Sequence, residues 1–226
     1  RRFHAYDSSI TPKYSIAKDS TKETIAKIKK KVGFPLVVKP ASLASSLLVT
    51  LCFHEEDLEK ALRKSLRAVK KHYKDRKLKE EPKILVEEFM EGSMYSIDSY
   101  VGTRGQVYHC PPVYVETGRS IGFEDFFNYY QVTPTPLSKS SIKQLQEVTE
   151  KGIHALGLRN VTAHTELLRT EQGWKIIEIG ARIGGFRQKF YGLSYGIDHT
   201  MNDIKIRIPE RPVLPRELRP TRMDGG

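Results

Sequence analysis

The sequence predicts an α+β fold of two small lobes, each an antiparallel sheet carrying helices on one side. Strand-like segments fall into two groups, residues 14–92 and 93–208, where a doubly wound parallel sheet would alternate single strands with helices. In the second group, residues 95–101 and 107–110 alternate well across the turn Gly102-Thr103-Arg104-Gly105. Residues 161–169 and 174–179 form a second hairpin across Thr170-Glu171-Gln172-Gly173.

In chain order, Ser20-Thr21-Lys22-Glu23 reads as a capping box: a serine hydroxyl meets the first free amides and a glutamate reaches back. It opens a helix through Lys31 with Ile25, Ile28 and Val32 on one face, and Gly33 ends it. Residues 34–40, Phe-Pro-Leu-Val-Val-Lys-Pro, follow as a nearly all-apolar strand, a pattern expected where both faces are covered. A small-residue loop (41–46) and a strand (47–53) lead to a long helix beginning near His54, whose acidic first turn suits the helix dipole. A strand opens at Ile84-Leu85-Val86 and ends in Glu87-Glu88-Phe89-Met90. Residues 123–130 are an aromatic loop, consistent with a pocket lining or with burial against a sheet. Helices are expected at 138–156, closed by Gly157, and at 197–206; the Pro- and Arg-rich stretch 209–226 lacks periodicity and is expected not to fold alone.

The chain has 226 residues, 38% hydrophobic and 29% charged, enough for one large domain or two small ones. No apolar run approaches the roughly 20 residues of a membrane span. The start, Arg1-Arg2-Phe3-His4, is not a secretion signal, so a cytoplasmic location is expected. Cys52 and Cys110 stand far apart without a CxxC or Cys/His cluster and read as small buried hydrophobes. The net charge of +11 calls for a polyanionic partner: a nucleotide, a nucleic acid or an acidic membrane surface. Much of it lies in residues 60–79, read as a solvated helix face followed by a loop. Only Tyr73 could stack on a base there and no RNA-binding signature appears, so nucleic acid is the weaker alternative.

Three sites stand out. Lys39 ends an apolar strand: it either snorkels to water or places its charge on phosphates, with backbone amides and the hydroxyls of Ser42, Ser45 and Ser46 around them. At Glu87-Glu88-Phe89-Met90 a strand end beside an aromatic could sandwich adenine, or simply terminate. Glu166 and Glu178 lie twelve positions apart on the second hairpin, so with a turn near Gln172 they fall almost opposite each other. Opposed like charges with apolar flanks destabilise a sheet unless a cation sits between them, and hard oxygen ligands suit magnesium shared with substrate phosphates. Gly180-Ala181-Arg182-Ile183-Gly184-Gly185 follows at once and offers a guanidinium for two-point contact with phosphate oxygens. His164 shares a strand face with Glu166 and reads either as a contact behind the site or as a structural histidine.

Read in order, GFPLVVKPASLASS, ILVEEFMEGSMYSID and HTELLRTEQGWKIIEIGARIGG resemble the strand–lysine–phosphate-loop, adenine hinge and metal-binding hairpin of the ATP-grasp superfamily. The resemblance covers about residues 10–208, and the HTE and EIGARIGG wording looks most like the amino-acid ligases that make dipeptides and related amides. It implies a carboxylate–amine ligase with ATP and Mg²⁺ as cofactors and a small-molecule carboxylate and amine as partners. It implies that Lys39 contacts the α- and β-phosphates while the loop of Ser42, Ser45 and Ser46 closes over the triphosphate. Glu87 would meet the adenine amino group, with Glu88 and Met90 offering backbone groups and Phe89 between them. Glu166 and Glu178 would be the metal ligands, and Arg182 would steady the transferring phosphoryl group.

Met94 stands where relatives often carry a ribose-binding glutamate, so either Glu91 substitutes or ribose binding is weaker. Gly180 stands where many carry a metal-completing asparagine, and Leu43 and Ala44 where glycines are usual. The resemblance further implies that residues 1–13 are a linker from an N-terminal α/β domain, that 14–92 and 93–208 are the two lobes, and that the fragment alone is inactive. A homodimer stays open, as do two other functions: a biotin-carboxylase-like enzyme, and a degenerate nucleotide- or RNA-binding module.

Overall fold

A computed structural model describes residues 1–41, 48–77, 81, 83–217, 220 and 224–225. In chain order the elements begin with α1 (Arg2–Tyr6), β1 (Tyr14–Ala17), α2 (Lys22–Lys31), β2 (Leu36–Pro40), β3 (Thr50–Cys52), α3 (Glu55–Asp75) and β4 (Ile84–Glu88). They continue with β5 (Ser93–Val101), β6 (Val107–His109), β7 (Val113–Thr117), β8 (Asn128–Thr133) and α4 (Lys139–Leu156). Last come β9 (Val161–Thr170), β10 (Gly173–Gly180), α5 (Arg187–Tyr195), α6 (His199–Arg207) and β11 (Asp224–Gly225). The chain divides into a smaller unit, Pro12–Met90 with Glu124–Phe127, and a larger one of Arg1–Thr11, Glu91–Phe123 and Asn128–Gly226.

In the smaller unit an antiparallel sheet of order β1-β4-β2-β3 packs under α2 and α3. The face of α3 that turns inward is written in the sequence at helical spacing: Leu58, Ala61, Leu62, Leu66, Val69 and Tyr73 are buried, with Ile25 and Ile28 of α2 beside them. Each such aliphatic side chain contributes about 1.5–3 kcal/mol by leaving water. The basic residues Lys60, Arg63, Lys64, Arg67 and Lys70 occupy the opposite, exposed side, which makes this run a solvated helix face. Asp57 closes a capping box by accepting from the His54 amide at 3.1 Å.

Two sequence expectations change here. The cap of α2 is Thr21, not Ser20: its hydroxyl accepts from the Thr24 amide at 3.3 Å, and Asp19 accepts from the Thr21 amide at 3.0 Å. Strand β2 is fully buried on one face and partly buried on the other. Leu36, Val38 and Pro40 are buried and Val37 and Lys39 half-buried, because in an antiparallel sheet with helices on one side the apolar run still alternates.

The larger unit centres on an antiparallel sheet of order β10-β9-β5-β7-β8-β11, with β6 also paired to β5. Its sheet is covered on both faces, not one. Tyr95, Ile97 and Val101 of β5 join Leu145 and Ile153 of α4 in the core, whereas the alternate residue Tyr100 packs with Tyr191, Ile197 and Ile206 of the α5–α6 region. Helix α5 and strands β7 and β8 carry no strong periodic signal and were not expected from the sequence. Helix α4 runs from the Ser138 cap to Gly157, whose φ of 68° takes the left-handed turn that ends it.

Residues Arg1–Thr11 belong to this unit. Helix α1 packs in this unit, Arg2 donates to the Leu156 carbonyl at 3.0 Å and Lys151 pairs with Asp7 at 2.7 Å. The stretch after 208 is tied in as well, since Asn202 exchanges two hydrogen bonds with the Val213 backbone at 2.9 and 2.8 Å. Among the described residues no helix is long and apolar enough to cross a membrane.

Candidate functional site

The hairpin of β9 and β10 places Glu178 directly opposite Glu166. The register that does so is irregular. Thr170 to Leu167 pair with Gly173 to Ile176 in a regular ladder, which continued would set Ile177 against Glu166 and turn Glu178 to the other face. A bulge between Ile176 and Glu178 adds one residue and switches the parity, so the two carboxylates share a face. Strand β5 extends the row, since Ser96 is the partner of Glu166 on its other side.

Behind this row lies a buried polar hub, of which the sequence pointed to His164 but not to Asp98 or His199. Asp98 on β5 pairs in register with His164 on β9 and has no exposed surface. Its Oδ1 accepts from His164 Nδ1 at 2.6 Å; its Oδ2 accepts from His199 Nε2 at 2.8 Å and from the Gly184 amide at 2.8 Å. Tyr100 donates in turn to His199 Nδ1 at 2.5 Å. Burial would drive the Asp98 carboxyl upward, yet the hydrogen bonds from His164 and His199 hold it well below the usual carboxylate range. Burial likewise opposes a charge on His164, but its bonds to Asp98 and Glu166 prevail and push its pKa up to about 9. A protonated His164 then stands between Asp98 and Glu166, with Nε2 3.5 Å from Glu166 Oε1. The sequence signal for Asp98 was an acid set among apolar residues in an alternating strand.

The loop after β10 is fixed at Gly184, where a Cβ would meet His164 Nδ1 at 2.5 Å and Arg187 Cγ at 2.7 Å. Arg182, earlier in the loop, is exposed and donates to the Ile183 carbonyl at 3.0 Å. Arg187, also missed, is buried and donates to Ser96 Oγ at 2.5 Å and Gln131 Oε1 at 2.6 Å.

In the smaller unit Lys39 pairs with Glu87 at 2.6 Å, both side chains largely buried, on neighbouring strands where Val37 is the register partner of Glu87. The lysine therefore does not simply snorkel, and Glu87, expected at adenine, is its partner in this structure. Glu88 accepts from the Lys13 amide at 3.0 Å through its side chain and donates its own amide to the Lys13 carbonyl at 2.9 Å. The Phe89 amide goes to the Pro35 carbonyl at 3.0 Å. Of the hinge amides, then, Glu88 and Phe89 are engaged within the unit. Met90 closes this unit and Glu91, exposed, opens the next. Ser42, Ser45 and Ser46 lie outside the described residues.

Among the described residues no group of three or more His, Cys, Asp and Glu side chains could hold a metal unaided. Two facing carboxylates fit a hard cation that takes its remaining oxygens from phosphates and water. Residues 32–189 match the model of the ATP-grasp domain, and the chain belongs to that family.

Alanine–anticapsin ligase of Bacillus subtilis strain 168 is 28% identical over 178 residues, covering 72% of this chain and 37% of that protein. The solved L-amino acid ligase of Bacillus licheniformis superposes with a TM-score of 0.80 at 24% identity, covering 100% of this chain and 53% of that one. The biotin carboxylase domain of the Hydrogenobacter thermophilus 2-oxoglutarate carboxylase, solved with MgADP and bicarbonate, gives 0.72 at 16% identity, over 98% and 48% of the two chains. The chain thus spans well under two thirds of the length of these relatives.

Proposed function

We propose that this chain supplies the nucleotide-binding part of a ligase that uses ATP and magnesium to activate a carboxylate and join it to an amine, with amino acids as substrates. The register of Glu166 with Glu178 carries the reading, because it sets two carboxylates side by side where a hard cation offsets their repulsion. The relatives named as ligases support the choice of reaction.

A substrate carboxylate oxygen attacks the γ-phosphorus, the bond to ADP breaks, and an acyl phosphate forms. The amine then attacks the acyl carbon, phosphate leaves with the bonding pair, and the nitrogen gives up a proton to solvent. Glu166 and Glu178 would hold magnesium, which supplies positive charge against the phosphoryl oxygens. His164 orients Glu166 from behind, with Nε2 3.5 Å from Oε1. Arg182, exposed in a loop with little bulk, neutralises the charge that spreads over the transferring group. Lys39 serves the α- and β-phosphates, exchanging Glu87 for a phosphate oxygen, while Ser42, Ser45 and Ser46 enclose them. Glu88, Phe89, Met90 and Glu91 form the adenine and ribose contacts, through carbonyls where the amides are engaged.

The test is Glu178→Ala in the full-length protein, followed by ADP release with amino-acid pairs and by circular dichroism. The expected result is a loss of turnover of about 100-fold or more with an unchanged fold. Turnover preserved in that variant would remove the metal assignment.

A further inference from the structure

Arg187 opens α5 with 2% of its surface exposed, and all its acceptors are neutral. Nη2 donates to Ser96 Oγ at 2.5 Å; Nη1 donates to Gln131 Oε1 at 2.6 Å and to the Gly185 carbonyl at 3.1 Å; Nε has no partner. Among the described residues none of these acceptors is a carboxylate. A guanidinium taken out of water with neutral hydrogen-bond partners, the Phe190 ring 5.7 Å away and one unpaired donor is under-neutralised, and an anion that reaches it is favoured.

Its position says which anion. Ser96, its tether, is the register neighbour of Glu166, which faces Glu178, so Arg187 caps a row running across β5, β9 and β10 on one sheet face. Strands are spaced about 4.8 Å apart, which puts the guanidinium within one substrate length of the acid pair. Gln131 is half-buried on β8, whose preceding residues Asn128, Tyr129 and Tyr130 are exposed, so its amide oxygen is the acceptor an incoming ligand can replace. A carboxylate in that place makes a charge-assisted bond where a neutral one stood.

Ligation of two amino acids involves two carboxylates of different fate. One loses its charge on becoming an acyl phosphate, and Arg182, exposed in its loop, suits a charge that moves. The other, on the amine-bearing substrate, stays ionised throughout and suits a cation locked in place by three hydrogen bonds. We propose that Arg187, anchored by Ser96, receives the unreacting carboxylate of the amine-bearing substrate, displacing Gln131 at Nη1 and drawing on the unpaired Nε. This rests on the ligase reading and assigns that reading an acceptor subsite.

The experiment uses the full-length protein and measures ADP release with a panel of amino acids as acceptors, each beside its own carboxamide. If the wild type releases no ADP with any pair, the ligase reading fails and this assignment falls with it. If the wild type turns over, Arg187→Gln is expected to raise KM for the amino-acid acceptor roughly 30-fold or more, while KM for its carboxamide and for MgATP moves by about 2-fold at most. Equal losses for acid and carboxamide, or a wild type indifferent to the acceptor carboxylate, overturn it.

Should Arg187→Gln fail to fold, Gln131→Glu asks the same question from the other side. An internal carboxylate on Nη1 is expected to raise the melting temperature and to weaken the amino-acid acceptor selectively. A rise in stability with no change in acceptor preference leaves Arg187 structural and sinks the proposal.

Discussion

Asp98 joins three parts of the site through one carboxylate: the His164 ring, the His199 ring and the Gly184 amide of the arginine loop. The state of His164 follows from it. Its pKa stands at about 9 against the ordinary 6.5, because the bonds to Asp98 and Glu166 outweigh the opposing cost of burial. A pKa raised by folding stabilises the protein fully below the unfolded value, and the gain is lost as pH rises through the folded one. The metal-free protein is therefore expected to lose up to about 3 kcal/mol of unfolding free energy between pH 6.5 and 9. Urea denaturation across that range checks it, and His164→Gln should flatten the decline; an unchanged slope in the variant would contradict the assignment. Asp98 acts in a separate window, since its lowered pKa gives stability at neutral pH that is lost only in acid. Of these residues, Glu166, Glu178 and Arg182 could be picked out from the sequence because their charges sit in conspicuous apolar or glycine-rich surroundings. Asp98, His199 and Arg187 could not, since each is defined by partners distant along the chain: Asp98 and His199 lie 101 positions apart.

At the scale of elements, local chemistry settles the ends and tertiary pairing settles the register. For α2 the sequence offers two adjacent hydroxyls, and only one becomes the cap. Thr21→Ala is expected to cost about 1 kcal/mol and Ser20→Ala less than about 0.5 kcal/mol, measured by chemical denaturation. Equal costs, or the reverse order, would return the cap to Ser20. The β9–β10 hairpin shows the other side. Spacing alone suggested that Glu166 and Glu178 face each other about a turn at Gln172, but the ladder closes at Thr170 and Gly173, one residue out of step. The expectation is met because a bulge restores the parity, and a bulge is a property of the paired strands that neither segment declares by itself. Strands β7 and β8 escaped notice for a related reason: their Phe- and Tyr-rich surroundings read equally well as loop.

At the scale of the molecule, the buried clusters respect the two units. One cluster, containing Leu36, Val38, Leu58, Leu62 and Val86, belongs wholly to Pro12–Met90, and the others, around β5, β9, α4 and α5, to the larger unit. Leu62→Ala, at a fully buried position, is expected to cost about 2–5 kcal/mol in the first of these. Hydrogen exchange should then accelerate in β2, β4 and α3 while the amides of β5 and β9 keep their protection. Equal loosening of β5 would show that the cores unfold as one. The basic character of the chain belongs to this scale too: Lys60, Arg63, Lys64, Arg67 and Lys70 line the exposed side of α3 and give that face a positive field.

By itself the sequence determined the α+β class, the helices with clear caps, the inward face of α3, the Lys39 strand and the acid pair with its arginine loop. These depend on spacing and on residue types within a few positions of one another. Only the tertiary structure decided that Lys39 holds Glu87, that Asp98 ties two histidines to the Gly184 loop, and that Arg187 lies buried among neutral acceptors. The physical reason is that a buried charge is defined by what surrounds it, and strand pairing brings those surroundings from parts of the chain that no local pattern connects.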